Sequence, residues 1–215
     1  MNKLSPIIED VRKRAALAVV RLPNPEDAIP VTEALLEGGV TAIEITLSTP
    51  NTFEVIEQIS STFAGDALVG IGSVTNIEQA EKAIQAGAKY VVCPIFKPEI
   101  IAFTASHNIP TIPGCFTPTE IQHAYEAGAE VIKVFPADCL GMAFFKGVKA
   151  PLPHLNLIPT GGVTLTNAGE WLKSGAFAVG LGSALMDKKA IQERNFHILT
   201  SNAKLLMETI RQANN

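Results

Sequence analysis

The chain has 215 residues, of which 47% are hydrophobic and 18% charged, with a formal net charge of −4. That length suits one sizeable domain with a buried core. The near-balanced charge, with no basic block, argues against nucleic acid as a partner. Apolar runs are only strand-length, which argues against a membrane span, and the N-terminal MNKLSPIIEDVRKRA has acidic residues and no apolar stretch of signal-peptide type.

In chain order, a helix is expected around Ser5 to Arg14, followed by strands LAVVR, TAIEIT, ALVGIG, KYVVCP, PTIPG, EVIKVF, NLIPT and FAVGLG. Helical patterns alternate with them, among them PEDAIPVTEALLEGG, NIEQAEKAIQAGA, PTEIQHAYEAGA and LTNAGEWLKSGA. Thr117-Pro118-Thr119-Glu120 reads as a capping box with proline at the first helical position. Gly39, Gly87, Gly128 and Gly175 each close a helix just before the next strand, as in AGAKYVVC and SGAFAVGL. The repeating strand–helix unit predicts an α/β fold, a (β/α)8 barrel of TIM type with an additional N-terminal helix, in one domain over residues 1–215. An open doubly wound sheet is the competing architecture, weakened by eight strand candidates and no GxGxxG.

Three widely spaced cysteines, Cys93, Cys115 and Cys139, offer no disulfide framework and no CxxC pair, which points to a reducing cytoplasm. His107, His123, His154 and His197 are scattered without HxxxH spacing, so neither a protein-bound metal nor another cofactor is expected.

The residue that demands an explanation is Lys133, set in the apolar run VIKVF, where a charge is costly unless it is paired or lost. Strand side chains alternate faces. In TAIEIT this sends Ile43 and Ile45 towards the helices, and Ala42, Glu44 and Thr46 inward. In VIKVF it sends Val131, Lys133 and Phe135 inward, while Gly70, Gly72, Gly180 and Gly182 leave space in the same interior. Burial withdraws water from an amine and makes its neutral, nucleophilic form more accessible, so that it can attack a carbonyl. The iminium so formed is an electron sink that permits C–C cleavage without a metal, and a neighbouring carboxylate can carry the protons. A buried structural ion pair between Lys133 and Glu44 is the alternative.

LIPTGG and GLGSAL close the seventh and eighth strands, where barrels of this type cradle phosphate on backbone N–H groups. Gly161 and Gly162 allow close approach, and Thr160 and Ser183 add hydroxyls. Together with AVVR, EALLEGGVTAIEITLSTP, VGIGSVTN, PTIPGCFTPTE and VIKVFPAD, these motifs make the chain resemble the class I 2-keto-3-deoxy-6-phosphogluconate (KDPG) and 4-hydroxy-2-oxoglutarate (KHG) aldolases over nearly its whole length. The resemblance implies a Schiff base between Lys133 and pyruvate, acid/base work by Glu44, and a phosphorylated keto acid as substrate. It also implies phosphate binding by the TGG and GS loops and a homotrimer. Ser73 matches a threonine that contacts the pyruvyl carboxylate, and Arg21 a frequent arginine near the anionic substrate. The candidate substrate contacts are therefore Arg21, Thr46, Ser73, Pro94, Phe135, Thr160, Gly161, Gly162, Gly182 and Ser183.

Two departures stand out. Ser48 replaces the arginine of the E-V-T-L-R-T pattern, removing a cation from the pocket, and Cys93-Pro94-Ile95-Phe96 makes a bulkier rim than the usual S-P with a small residue. These leave the phosphogalactonate epimer, 4-hydroxy-2-oxoglutarate and a non-catalytic phospho-sugar-binding barrel as alternatives. Cys93 and Trp171 read as packing residues, Lys146 and Lys149 as solvated charges, and Arg21 equally as an anion binder or a strand-end salt-bridge partner.

Overall fold

A computed structural model describes residues 4–213. The elements run α1 (Pro6–Arg14), β1 (Ala16–Val20), α2 (Ala28–Glu37), β2 (Ala42–Thr46), α3 (Thr52–Thr62), β3 (Leu68–Gly72), α4 (Ile77–Gln85), β4 (Val91–Val92), α5 (Pro98–Ser106) and β5 (Thr111–Ile112). The second half continues with β6 (Gly114–Cys115), α6 (Pro118–Glu126), β7 (Ile132–Val134), α7 (Gly141–Lys149), β8 (Leu157–Pro159), α8 (Ala168–Lys173), β9 (Val179–Leu181), α9 (Lys188–Gln192) and α10 (His197–Ala213).

Strand–helix alternation forces parallel pairing, because each crossover returns the chain to the same end of the sheet. Six strands form one curled parallel sheet in the order β5-β4-β3-β2-β1-β9, and three form another, β6-β7-β8. The expected fifth strand, PTIPG, is divided between these sheets. Pro113 has no N–H to give to a ladder, so the run breaks into β5 and β6 at that residue. At the other junction a single parallel bridge, Thr160 to Gly180, links the end of β8 to β9.

The two faces of the strands feed two separate cores. Ile43, Ile45, Ile71, Cys93, Ile132, Val134, Val179 and Leu181 pack outward against the helices. Leu17, Ala42, Leu68, Tyr90, Val92, Val131, Ile158 and Ala178 pack against one another inside. The N-terminal helix belongs to the inner core. Ser5 caps it, Pro6 opens it, and Ile8 and Val11 are fully buried against the strand starts. The Thr117–Glu120 capping box opens α6 as its spacing requires.

Trp171 packs edge-on against Phe145 at 5.1 Å, and Cys93 is a buried outer-core residue. Lys149 departs from the solvated reading. It is half-buried, its Nζ donates to the Gly175 carbonyl at 3.1 Å, and burial lowers its pKa. Among the described residues no helix is long and apolar enough to cross a membrane.

Candidate functional site

β2 and β7 bring the two conspicuous ionisable residues together across the interior. Lys133 pairs in register with Gly114 on one side and Ile158 on the other, which fixes its side chain inward at mid-strand. Glu44 pairs with Val19 and Gly70. Lys133 Nζ lies 4.0 Å from Glu44 Oε1, and both side chains are at least nine-tenths buried. That separation exceeds a direct hydrogen bond and suits a bridging water or a reacting group. The ammonium also sits 5.0 Å from the centre of the Phe135 ring.

Glycines make this arrangement sterically possible. A methyl at Gly72 would overlap the Glu44 carboxylate, and one at Gly70 would overlap the Tyr90 ring. A methyl at Gly180 would meet Thr160 Oγ1 at 2.5 Å. Burial raises the pKa of Glu44 above 4.5, although Lys133 and then Arg21 pull the other way. Desolvation dominates because the carboxylate is buried and, among the described residues, takes no direct hydrogen bond that would offset the cost.

Above this pair opens a cavity of about 660 Å³. Its walls include Arg21, Ser48, Phe135, Thr160, Gly161, Gly162, Gly182 and Ser183. Seven of the expected substrate contacts therefore share one opening. Glu44, Lys133, Thr46, Ser73 and Pro94 do not form its wall. Glu44 and Lys133 lie beneath it, and Thr46 reaches it only through the 2.9 Å contact of its hydroxyl with Ser48 Oγ. Ser73 follows β3 in a left-handed conformation, φ 69°, and Pro94 is pressed against Gly114 of the neighbouring strand.

The glycine-rich loops leave amides available for an anion. Gly161 and Gly162 both have positive φ, 96° and 72°, which turns the chain sharply beside Asp138. Leu185 and Met186 donate back to the Gly182 carbonyl, forming one helical turn. Among the described residues the N–H groups of Gly161, Gly162, Ser183 and Ala184 donate to no protein acceptor. Unpaired amides converging at a turn form a site suited to a phosphate or carboxylate.

Among the described residues Arg21 makes no salt bridge, so the strand-end ion pair is not its role here. Lys188 and Gln192 of α9 also line the cavity. Neither stood out in the sequence, because the KK pair at 188–189 gives no sign of which lysine turns towards the mouth. Among the described residues no group of three His, Cys, Asp or Glu side chains is placed to hold a metal ion.

Comparison with known proteins adds four findings. A family model described as "Aldolase: KDPG and KHG aldolase" matches residues 7–201. The chain is 34% identical over 205 residues to the 2-dehydro-3-deoxy-phosphogluconate aldolase of Treponema pallidum (strain Nichols), covering 95% of this chain and 97% of that protein. It is 31% identical over 200 residues to the 2-dehydro-3-deoxy-6-phosphogalactonate aldolase of Escherichia coli (strain K12), covering 93% and 98%. Among solved structures, the Legionella pneumophila KDPG aldolase with pyruvate captured as a covalent carbinolamine intermediate is similar at a TM-score of 0.87 and 28% identity. That likeness covers 94% of this chain and 98% of the other.

Proposed function

The chain belongs to the KDPG and KHG aldolase family, and from that premise we propose that it is a class I aldolase cleaving 2-keto-3-deoxy-6-phosphogluconate to pyruvate and glyceraldehyde 3-phosphate. The observation that carries this reading is a buried amine 4.0 Å from a buried carboxylate, beneath a cavity rimmed by unpaired amides.

The chemistry follows from those parts. Lys133 Nζ adds to the C2 carbonyl of the substrate, and loss of water from the carbinolamine leaves an iminium. Glu44 takes the proton of the C4 hydroxyl, the C3–C4 bond breaks, and its electron pair moves into the iminium to give an enamine. The aldehyde departs. A proton returns to C3, and water hydrolyses the iminium to release pyruvate and the free amine. The raised pKa of Glu44 suits a group that must both accept and return a proton. Arg21 and the amides of Gly161, Gly162 and Ser183 would neutralise the substrate's phosphate and help to hold it. Ser73 would meet the pyruvyl carboxylate, with Thr46, Pro94, Phe135, Thr160 and Gly182 shaping the remaining walls. No cofactor enters any step.

We read the two sheets as one closed eight-stranded barrel. Support comes from the Thr160–Gly180 bridge at one seam and the unbroken chain through Pro113 at the other. The reading treats residues 1–215 as a single domain, and three widely spaced cysteines with no CxxC pair favour a cytoplasmic location. A homotrimer is the assembly proposed. Ile95 and Phe116 are exposed apolar side chains on the loops that Pro94 and Gly114 bring together, and light scattering would give the mass in solution. A second substrate, the phosphogalactonate epimer, is favoured by the extent of the match to the Escherichia coli enzyme.

The decisive experiment is reductive trapping. Pyruvate with borohydride should attach covalently to Lys133, located by peptide mapping. An adduct on Lys146 or Lys149, or none at all, overturns the assignment.

A further inference from the structure

The Thr46 hydroxyl is buried at the mouth end of β2 and donates to the Val20 carbonyl at 3.2 Å. A carbonyl can only accept, and a threonine hydroxyl has one proton to give. The same oxygen lies 2.9 Å from Ser48 Oγ. With the Thr46 proton committed to Val20, the proton in that second bond must come from Ser48. The Ser48 hydroxyl therefore turns its hydrogen back towards the strand. What it presents to the cavity, whose wall it forms, is lone pairs.

Its height in the site fixes what it meets. Glu44 and Thr46 are successive inward residues of β2, roughly 6–7 Å apart at the usual rise per residue, and Ser48 follows Thr46 towards the mouth. Ser48 thus stands beyond the reacting amine, on the way to the free amides of Gly161, Gly162 and Ser183. A keto acid joined to Lys133 through C2 and held at its far end by those amides passes C5 along this wall.

We propose that Ser48 is a specificity-determining residue that accepts a hydrogen bond from the C5 hydroxyl of a phosphorylated six-carbon sugar acid. It disfavours 4-hydroxy-2-oxoglutarate, whose C5 is a carboxylate, because two acceptors then face each other without a proton between them. This inference rests on the Schiff-base reading above. Arg21 lines the same cavity and attracts either anion, so it sets the affinity for both, while Ser48 sets the difference between them.

The test runs the reaction in the direction of synthesis, with pyruvate and three acceptors: D-glyceraldehyde 3-phosphate, its 2-deoxy analogue, and glyoxylate. The wild type should prefer the first over the second by about tenfold in kcat/KM, the effect of one net hydrogen bond. Ser48→Ala should bring those two acceptors level. Thr46→Val removes the acceptor that holds the Ser48 proton, so glyoxylate use should rise severalfold, and Thr46→Ser should restore the wild-type ratio. An unchanged preference in Ser48→Ala, or no gain with glyoxylate in a folded Thr46→Val, overturns the proposal. Should Thr46→Val not fold, Ser48→Ala decides alone. Borohydride trapping of pyruvate on each variant separates the two levels. Absence of trapping in the wild type removes the Schiff-base reading and this inference with it. Intact trapping with unmoved ratios removes the Ser48 assignment alone.

Discussion

Gly70 and Gly72 sit two residues apart on β3 and face the same interior, yet the space each leaves is filled by a neighbour of opposite character. Beside Gly70 lies the ring of Tyr90, part of the inner apolar core with Leu17, Leu68 and Val131. Beside Gly72 lies the carboxylate of Glu44. One step of the strand's alternation separates a level packed with apolar side chains from a level that holds the buried carboxylate and amine. The inner core fixes the strands, and the strands aim Glu44 and Lys133 at each other across the level above. The packing of the lower level thus holds the two ionisable groups of the upper one in place.

The sharpest way to divide the levels is to remove the proposed proton carrier without changing its shape. Glu44→Gln should lower turnover by roughly 10²–10⁴-fold, the range for a positioned acid/base, with the fold retained. Steady-state kinetics on the folded variant measure this. Unfolding with full specific activity in the folded fraction would return Glu44 to a structural ion pair.

The glycine pair gives the next test. Gly72→Ala forces the Glu44 carboxylate aside and should cost about 10²-fold in kcat, as ångström-scale misplacement does. Gly70→Ala forces the Tyr90 ring instead and should cost about 1–3 kcal/mol of stability, with kcat of the folded enzyme unchanged. Denaturant melts and kinetics on both variants would expose a reversed pattern, which would erase the distinction between the levels.

A smaller effect concerns pH. In the fold the pKa of Glu44 is raised above 4.5 by burial, so the native state holds this proton more tightly than the unfolded chain. The stabilisation is fully present below 4.5 and is lost as pH rises through the native value. Glu44→Gln has no such proton. The difference in Tm between variant and wild type should therefore move in the variant's favour as pH climbs from 4.5. A constant difference across that range would mean the carboxylate is better solvated than its position indicates.

Face alternation was the legible part of this molecule. Ala42, Glu44 and Thr46 against Ile43 and Ile45 could be assigned from period two alone, and the structure places Ile43 and Ile45 in the outer core and Ala42 in the inner one. The continuity of a ladder is a different matter. PTIPG reads as one strand by composition, but a missing N–H at Pro113 divides its pairing between two sheets. Periodicity reports which way side chains point, not which partner each amide finds. Nor did it show that Tyr90 would take the space left by Gly70, or that Lys188 rather than its neighbour would line the cavity, since both depend on packing between distant segments. The Ser48–Thr46 contact lay two residues apart in plain view, but its direction became visible only once Val20 claimed the Thr46 proton.

The N-terminal helix has a consequence for traffic. Ile8 and Val11 of α1 pack against the strand starts and fill that end of the interior, while the cavity rimmed by Arg21, Phe135 and Gly161 opens at the other end. On the proposed chemistry, cleavage leaves the three-carbon half tethered at the blind end and the aldehyde half untethered beside the exit. The aldehyde must leave first and pyruvate last. Run in reverse, pyruvate must be seated before the aldehyde can usefully enter, so on the proposed chemistry a filled far end imposes a queue on the two products.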